Sequence, residues 1–178
     1  MITPEQREAL IAANIPMVYH DVLFSTIEGG SSLRDYVVGE TYTYDRQNNQ
    51  GMCLYGNASK RVRLFPVLAR AMVIARDNVL FIPLIVLKEI VCGDNHPLMD
   101  SALSCSALFV SNFCTPEEPF SLATADRAPI EDFLVSRCHT KQRNYYSARE
   151  PLERLTWWTD DFRNEQQQYM KDYSTDAM

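Results

Sequence analysis

Between residues 52 and 148, seven segments alternate between short apolar runs and amphipathic stretches, and no other feature constrains the fold as tightly. The runs MCLYG (52–56), NVLFIPL (78–84), CSALFVSNF (105–113) and RNYYSA (143–148) are short and rich in strand-forming residues. Between them lie ARAMVIARD (69–77), IVLKEIVCG (85–93, closed by a glycine) and RAPIEDFLVSRCHTKQ (127–142), which are helical by composition. Strand and helix in strict alternation predict an α/β fold, a mainly parallel sheet with helices on both faces.

The N-terminus adds a short helix. Thr3 is a capping residue type, Pro4 suits the first helical position, and Leu10, Ile11 and Ile15 supply an apolar side. An extended segment through Pro16 leads to Gly29 and Gly30, and a second helix is expected over 31–42 with Ser31 or Ser32 as its cap. Turn chemistry at 47–51 (QNNQG) precedes the first strand. Residues 160–178 are polar and almost free of aliphatic side chains, so the expected division is one domain over 1–159 and a solvated helix or tail over 160–178.

A chain of 178 residues suffices for one domain with a real core. Its formal charge of -6 argues against a protein whose main task is coating nucleic acid, because phosphate binding draws on a surplus of Lys and Arg. Five cysteines without CxxC spacing, and no apolar leader in MITPEQREAL, lead us to expect free thiols in a reducing cytoplasm. The most apolar stretch, VLFIPLIVL at 79–87, is far shorter than the roughly 20 residues a membrane helix needs. The membrane is therefore not an expected partner.

In their order, these pieces resemble the AAA+ ATPase domain shared by replicative helicase loaders of the DnaC and DnaI type and the transposition helper IstB. AANIPMVYHDVLFSTIE resembles that family's lead-in motif, an Ile-Pro followed by an aromatic residue, an Asp and a further aromatic. MCLYGN, LARAMV and NVLFIPLIVLKEI then resemble its P-loop strand, following helix, second strand and next helix. ALSCSALFVSNF falls on the Walker B strand, and IEDFLVSRCHTKQRNYYSAREPLERL on the helix, sensor strand and short helix beyond. The resemblance spans about residues 10 to 155 and implies an AAA+-like P-loop NTPase core.

The residues that carry nucleotide chemistry in that family are missing at the matching positions. A P-loop, GxxxxGK[ST], wraps phosphates with backbone amides freed by glycine, neutralises them with Lys and holds magnesium with a hydroxyl. From Gly56 the chain instead reads Gly56, Asn57, Ala58, Ser59, Lys60, Arg61, Val62, Arg63, with arginine for the second glycine, valine for the lysine and arginine for the hydroxyl. A side chain forced into left-handed geometry costs about 1–2 kcal/mol, and a lost charged hydrogen bond about 1.5–3 kcal/mol. Pro66 is expected near the start of the following helix, tolerable only if the loop is rebuilt. Ser111 and Asn112 stand where the family places its Walker B acids, and Arg149 ends the sensor segment Ser147, Ala148, Arg149. Arg163 is the only late arginine, outside the family's arginine-finger context. The expectation is a pseudo-ATPase with no cofactor and no catalytic residue.

Other features carry weaker expectations. Lys60, Arg61 and Arg63 are either partner contacts or a solvated, charged loop. Arg137, Lys141 and Arg143 form a candidate basic strip with Tyr145 and Tyr146 as stacking platforms for single-stranded nucleic acid, against packing in a strand. Cys138 and His139 are adjacent, so a helix points them about 100° apart, which disfavours a nucleophile and base pair. His20, His96 and His139 lack metal-site spacing. Trp157 and Trp158 put aromatic area beside the polar tail and are candidate protein contacts, against packing of the last helix onto the domain, which suits one of the two better.

Helicase loaders of this family carry a helicase-binding segment ahead of the ATPase domain, and here about ten residues precede the resemblance. The functional expectation is a phage-encoded mimic that docks on the replicative helicase or its loader and inhibits helicase loading. An accessory loader with a remodelled, weak ATPase and a single-strand binder are the alternatives, and self-association is a further expectation.

Overall fold

The computed structural model describes residues 2–27, 51–55, 58–113, 124–140 and 142–148. The helix expected over 31–42 and the tail at 160–178 lie outside them.

Helix α1 (Pro4–Ala12) begins as its sequence dictates: Thr3 Oγ1 accepts from the Gln6 amide while Gln6 Oε1 accepts from the Thr3 amide, a closed capping box. It ends in a left-handed Asn14 (φ 59°), whose amide donates to Ile11 while that of Ile15 donates to Leu10. Two one-turn 3-10 segments follow, Met17–Tyr19 and Phe24–Thr26.

Strand β1 (Gly51–Tyr55) leads into α2 (Ala58–Ile74), and β2 (Val79–Pro83) into α3 (Leu84–Cys92) and α4 (Met99–Ser104). Strand β3 (Ala107–Phe113), α5 (Thr124–His139) and β4 (Arg143–Ala148) complete the described elements. The sheet order is β1-β4-β3-β2, with every pairing parallel.

The alternation along the strands sorts the core into two layers. Val79, Phe81, Ala107, Phe109 and Tyr145 face α1 and α2, which contribute Leu10, Phe65, Leu68 and Met72. Leu80, Ile82, Leu108, Val110 and Tyr146 face α3, α4 and α5, which contribute Leu87, Ile90, Ala102, Ile130 and Leu134. Phe109 and Tyr145, side by side on β3 and β4, stack with ring centroids 4.4 Å apart, and Phe65 closes on Phe109 at 5.1 Å.

Pro66 requires a correction. It is not near the start of its helix but the ninth residue of α2, and it is buried. Leu64, Phe65, Leu68 and Met72 recur on the face turned to the sheet, and that burial outweighs the proline's missing amide. Lys60, Arg61, Val62 and Arg63 are accordingly helical rather than loop.

On the outer edge of the sheet, β2 is tied to α1. The Phe81 amide donates to the Ala13 carbonyl at 2.9 Å, and Asn14 Nδ2 donates to the Phe81 carbonyl at 2.9 Å. Pro83, the next outward position, has no amide to offer, so the edge is poorly suited to pairing with another strand. No helix among the described residues is long and apolar enough to cross a membrane.

Candidate functional site

In an open parallel sheet, ligands bind beyond the carboxyl ends of the strands. Here those ends lie in line: Tyr55 of β1 pairs with Ala148 of β4, which pairs with Phe113 of β3, while Pro83 of β2 pairs with Ser111. The fold thus brings together the ends of the segments expected to be the P-loop, sensor and Walker B strands.

Only residues 56 and 57 separate β1 from α2. Of the eight P-loop positions laid from Gly56, the last six are therefore helical. A phosphate cradle needs a run of non-helical residues whose amides turn inward together, and a two-residue connector has no length for one. Val62, at the lysine position, is 48% exposed and Arg63 is exposed. The first turn of α2 has no acidic residue, so Lys60 and Arg61 stand at the positive end of the helix dipole. Gly56, Arg149, Trp157 and Trp158 lie outside the described residues.

At the Walker B position, β3 breaks register between Val110 and Phe113, and Asn112 takes a left-handed backbone (φ 56°). Asn112 is exposed and Ser111 partly so; neither side chain is an anion. Ser147 at the end of β4 is buried. Among the described residues, no group of three or more His, Cys, Asp and Glu side chains is placed to hold a metal ion.

The lead-in segment is fastened to α2 by bonds that sequence reasoning missed. Tyr19 Oη donates to the Val62 carbonyl at 3.3 Å, and Arg70 Nε to the His20 carbonyl at 2.6 Å. His20 is buried and its Nε2 lies 2.9 Å from the Ile15 carbonyl. Burial pulls the Arg70 pKa below its usual value, and Asp21 partly offsets this.

Two members of the basic strip, Arg137 and Arg143, prove to be interior, and Lys141 lies outside the described residues. Arg137 is 2% exposed, donating through Nε to Asn144 Oδ1 at 2.9 Å, through Nη1 to the Ala102 carbonyl and through Nη2 to the Cys105 carbonyl at 3.0 Å. Arg143 is buried with Nη2 3.4 Å from Asp77, and Tyr145 and Tyr146 are only 4% and 3% exposed. These side chains pack the domain and are not a surface on which bases could stack. Arg137 Nη2 also lies 3.3 Å from Cys105 Sγ; burial pushes that thiol's pKa up, and the nearby guanidinium opposes the shift.

No protein-family profile matches the sequence, and no curated protein matches it. Solved structures do match in shape. AMPPCP-bound DnaA from Aquifex aeolicus aligns with a TM-score of 0.59 at 8% identity, over 86% of this chain and 49% of its own. A DNA replication initiation factor aligns at 0.56 and 9% identity, over 79% of this chain and 44% of its own. The replication initiator DnaA bound to AMPPCP and single-stranded DNA aligns at 0.58 and 9% identity, over 86% and 48%. The chain therefore spans about half the length of the structures it matches, and at such identity the likeness is one of fold. That fold is a parallel sheet with helices on both faces, similar in shape to these DnaA structures.

Proposed function

We propose that the chain is a non-hydrolysing AAA+-like subunit that docks on the replicative helicase or its loader and holds back helicase loading when DNA replication begins. The observation that carries the reading is the two-residue connector between β1 and α2, joined to the replacement of the P-loop lysine by Val62 and of the Walker B acids by Ser111 and Asn112. A subunit with this scaffold but without nucleotide chemistry occupies an interface and contributes nothing to turnover. In this reading Lys60, Arg61 and Arg63 in the opening turns of α2 are protein contacts, with Trp157 and Trp158 as further contacts.

The solved neighbours favour one rival. Two of them are DnaA structures holding AMPPCP, one with single-stranded DNA as well. Residual nucleotide binding at a rebuilt site is thus the second reading.

The test immobilises the chain and offers purified replicative helicase and its loader separately. Retention of either, with slower helicase loading in a reconstituted assay, supports the proposal. Retention of neither contradicts it. Replacing Lys60, Arg61 and Arg63 together with Ala should release the partner, and unchanged retention removes them from the interface.

A further inference from the structure

The lead-in segment is built around a buried histidine that uses only one of its ring nitrogens. His20 is 1% exposed, and its Nε2 lies 2.9 Å from the Ile15 carbonyl. A carbonyl only accepts, so Nε2 carries the proton of the neutral ring and Nδ1 is a bare acceptor. Nδ1 is itself buried and has no hydrogen-bond partner among the described residues. A second proton can add only there, and it meets no acceptor.

The charges around the ring come from three elements. From α2, Arg70 is buried and donates through Nε to the His20 carbonyl at 2.6 Å, which fixes a guanidinium against the same residue. The segment itself contributes Asp21, whose side chain is 70% exposed, and α1 contributes Arg7, paired with Asp21 at 3.7 Å. Asp21 is thus screened by water and shared with Arg7, so it offers little to a charge on the ring. Protonation of Nδ1 therefore sets a second buried cation beside Arg70 without a hydrogen bond, an arrangement relieved by moving the ring into water. Burial already holds the Arg70 pKa below its usual value, so the site is a poor host even for one positive charge.

We infer that His20 and Arg70 form a proton-sensitive latch: neutral His20 holds residues 16–26 against α2, and protonation at Nδ1 releases them. Release gives up the bonds of His20 to Ile15 and to Arg70, and with them the bond of Tyr19 to the Val62 carbonyl. It thereby frees the opening turns of α2 from the lead-in segment. The latch is independent of the proposed function, since it is a property of the chain alone.

The released segment takes up one proton that the held segment does not, so the hold is complete at high pH and is lost as pH falls. With an exposed imidazole titrating at about 6.5, the ratio of held to released segment should drop about tenfold from pH 7.5 to 5.5. Amide hydrogen exchange of the ¹⁵N-labelled full chain, corrected for its intrinsic pH dependence, reads this ratio. The amides of Tyr19, His20 and Val22, bonded to Pro16, Met17 and Tyr19, should lose about tenfold in protection. Those of Ala107 and Arg143, bonded to Asn78 and Ser106 in the sheet, should keep theirs. His20→Gln, which retains a donor for Ile15, should abolish the effect. The chain has three histidines, so the double variant His96→Gln with His139→Gln must preserve it, and this variant decides the matter if His20→Gln does not fold. Constant protection over this range, a loss shared equally by Ala107 and Arg143, an effect that survives His20→Gln, or one that vanishes in the double variant overturns the latch.

Discussion

Tyr19 supplies the hydrogen bond that Pro66 removes from α2. In an α-helix the Val62 carbonyl accepts from the amide four residues on, and that residue is Pro66, which has none. The Tyr19 hydroxyl fills the vacancy at 3.3 Å and pins the lead-in segment to the turn that would border a nucleotide. Tyr19→Phe should cost about 0.5–1 kcal/mol, since solvent replaces part of the bond. In a Pro66→Ala background the helix reclaims its own acceptor, and the cost of Tyr19→Phe should fall close to zero. Urea denaturation of the four proteins of this cycle measures the coupling.

Two helix ends call for opposite substitutions. Arg76 closes α2 with a left-handed backbone (φ 72°), its amide donating to Val73 and that of Asp77 to Met72. Arg76→Gly should stabilise by about 0.5–1 kcal/mol, because a non-glycine residue is strained there. Gly93 closes α3 in extended geometry, yet a Cβ would sit 2.4 Å from the Glu89 carbonyl oxygen. Gly93→Ala should destabilise by about 1–3 kcal/mol. Thermal midpoints for both variants check the pair of signs.

Arg137 joins α5 to α4 and β4 through buried acceptors. Arg137→Met should cost about 3 kcal/mol or more, because Asn144 and the Ala102 and Cys105 carbonyls lose a charged donor. A surface residue serving nucleic acid would instead leave stability unchanged. Urea midpoints separate the two outcomes.

Stability should also fall in alkali. Burial raises the pKa of Cys105, and the Asp126 carboxylate, 2.7 Å away, raises that of Lys88. For both groups the folded value exceeds the unfolded one, so their contribution is complete below the unfolded pKa and is lost as pH rises through the folded one. The decline should begin near pH 8.5, where an unfolded thiol ionises. Cys105→Ala should remove this early part and leave the later part due to Lys88. Glu5 has the opposite sign: its own amide and the Thr3 hydroxyl lower its pKa, so its contribution is lost as pH falls. Urea midpoints between pH 3 and 10.5, roughly spanning these ordinary values, test both arms.

The strands were legible because period-two burial leaves a local imprint. RNYYSA is β4 from end to end, and NVLFIPL overruns β2 by one residue on each side. The first eleven residues of α2 were not legible, since Pro66 imitates a boundary and KRVR imitates a loop; a helix this well buried overrides both. Gly93 marks a helix end in the sequence, and the structure adds the reason: close approach to the Glu89 carbonyl leaves no room for a Cβ. Bonds such as Asn14 to Phe81, 67 residues apart, leave no periodic trace. At the candidate site, Val62, Ser111 and Asn112 were singled out by the resemblance alone, and the length of the β1–α2 connector needed the helix start.

Titration calorimetry of the full chain with magnesium and ATP, taken to about 5 mM nucleotide, tests the central claim most directly. The two-residue connector predicts no saturable heat and no rise in thermal midpoint at the highest concentration. A saturable isotherm, with the stabilisation that linkage demands of a ligand held by the folded state alone, would contradict the account.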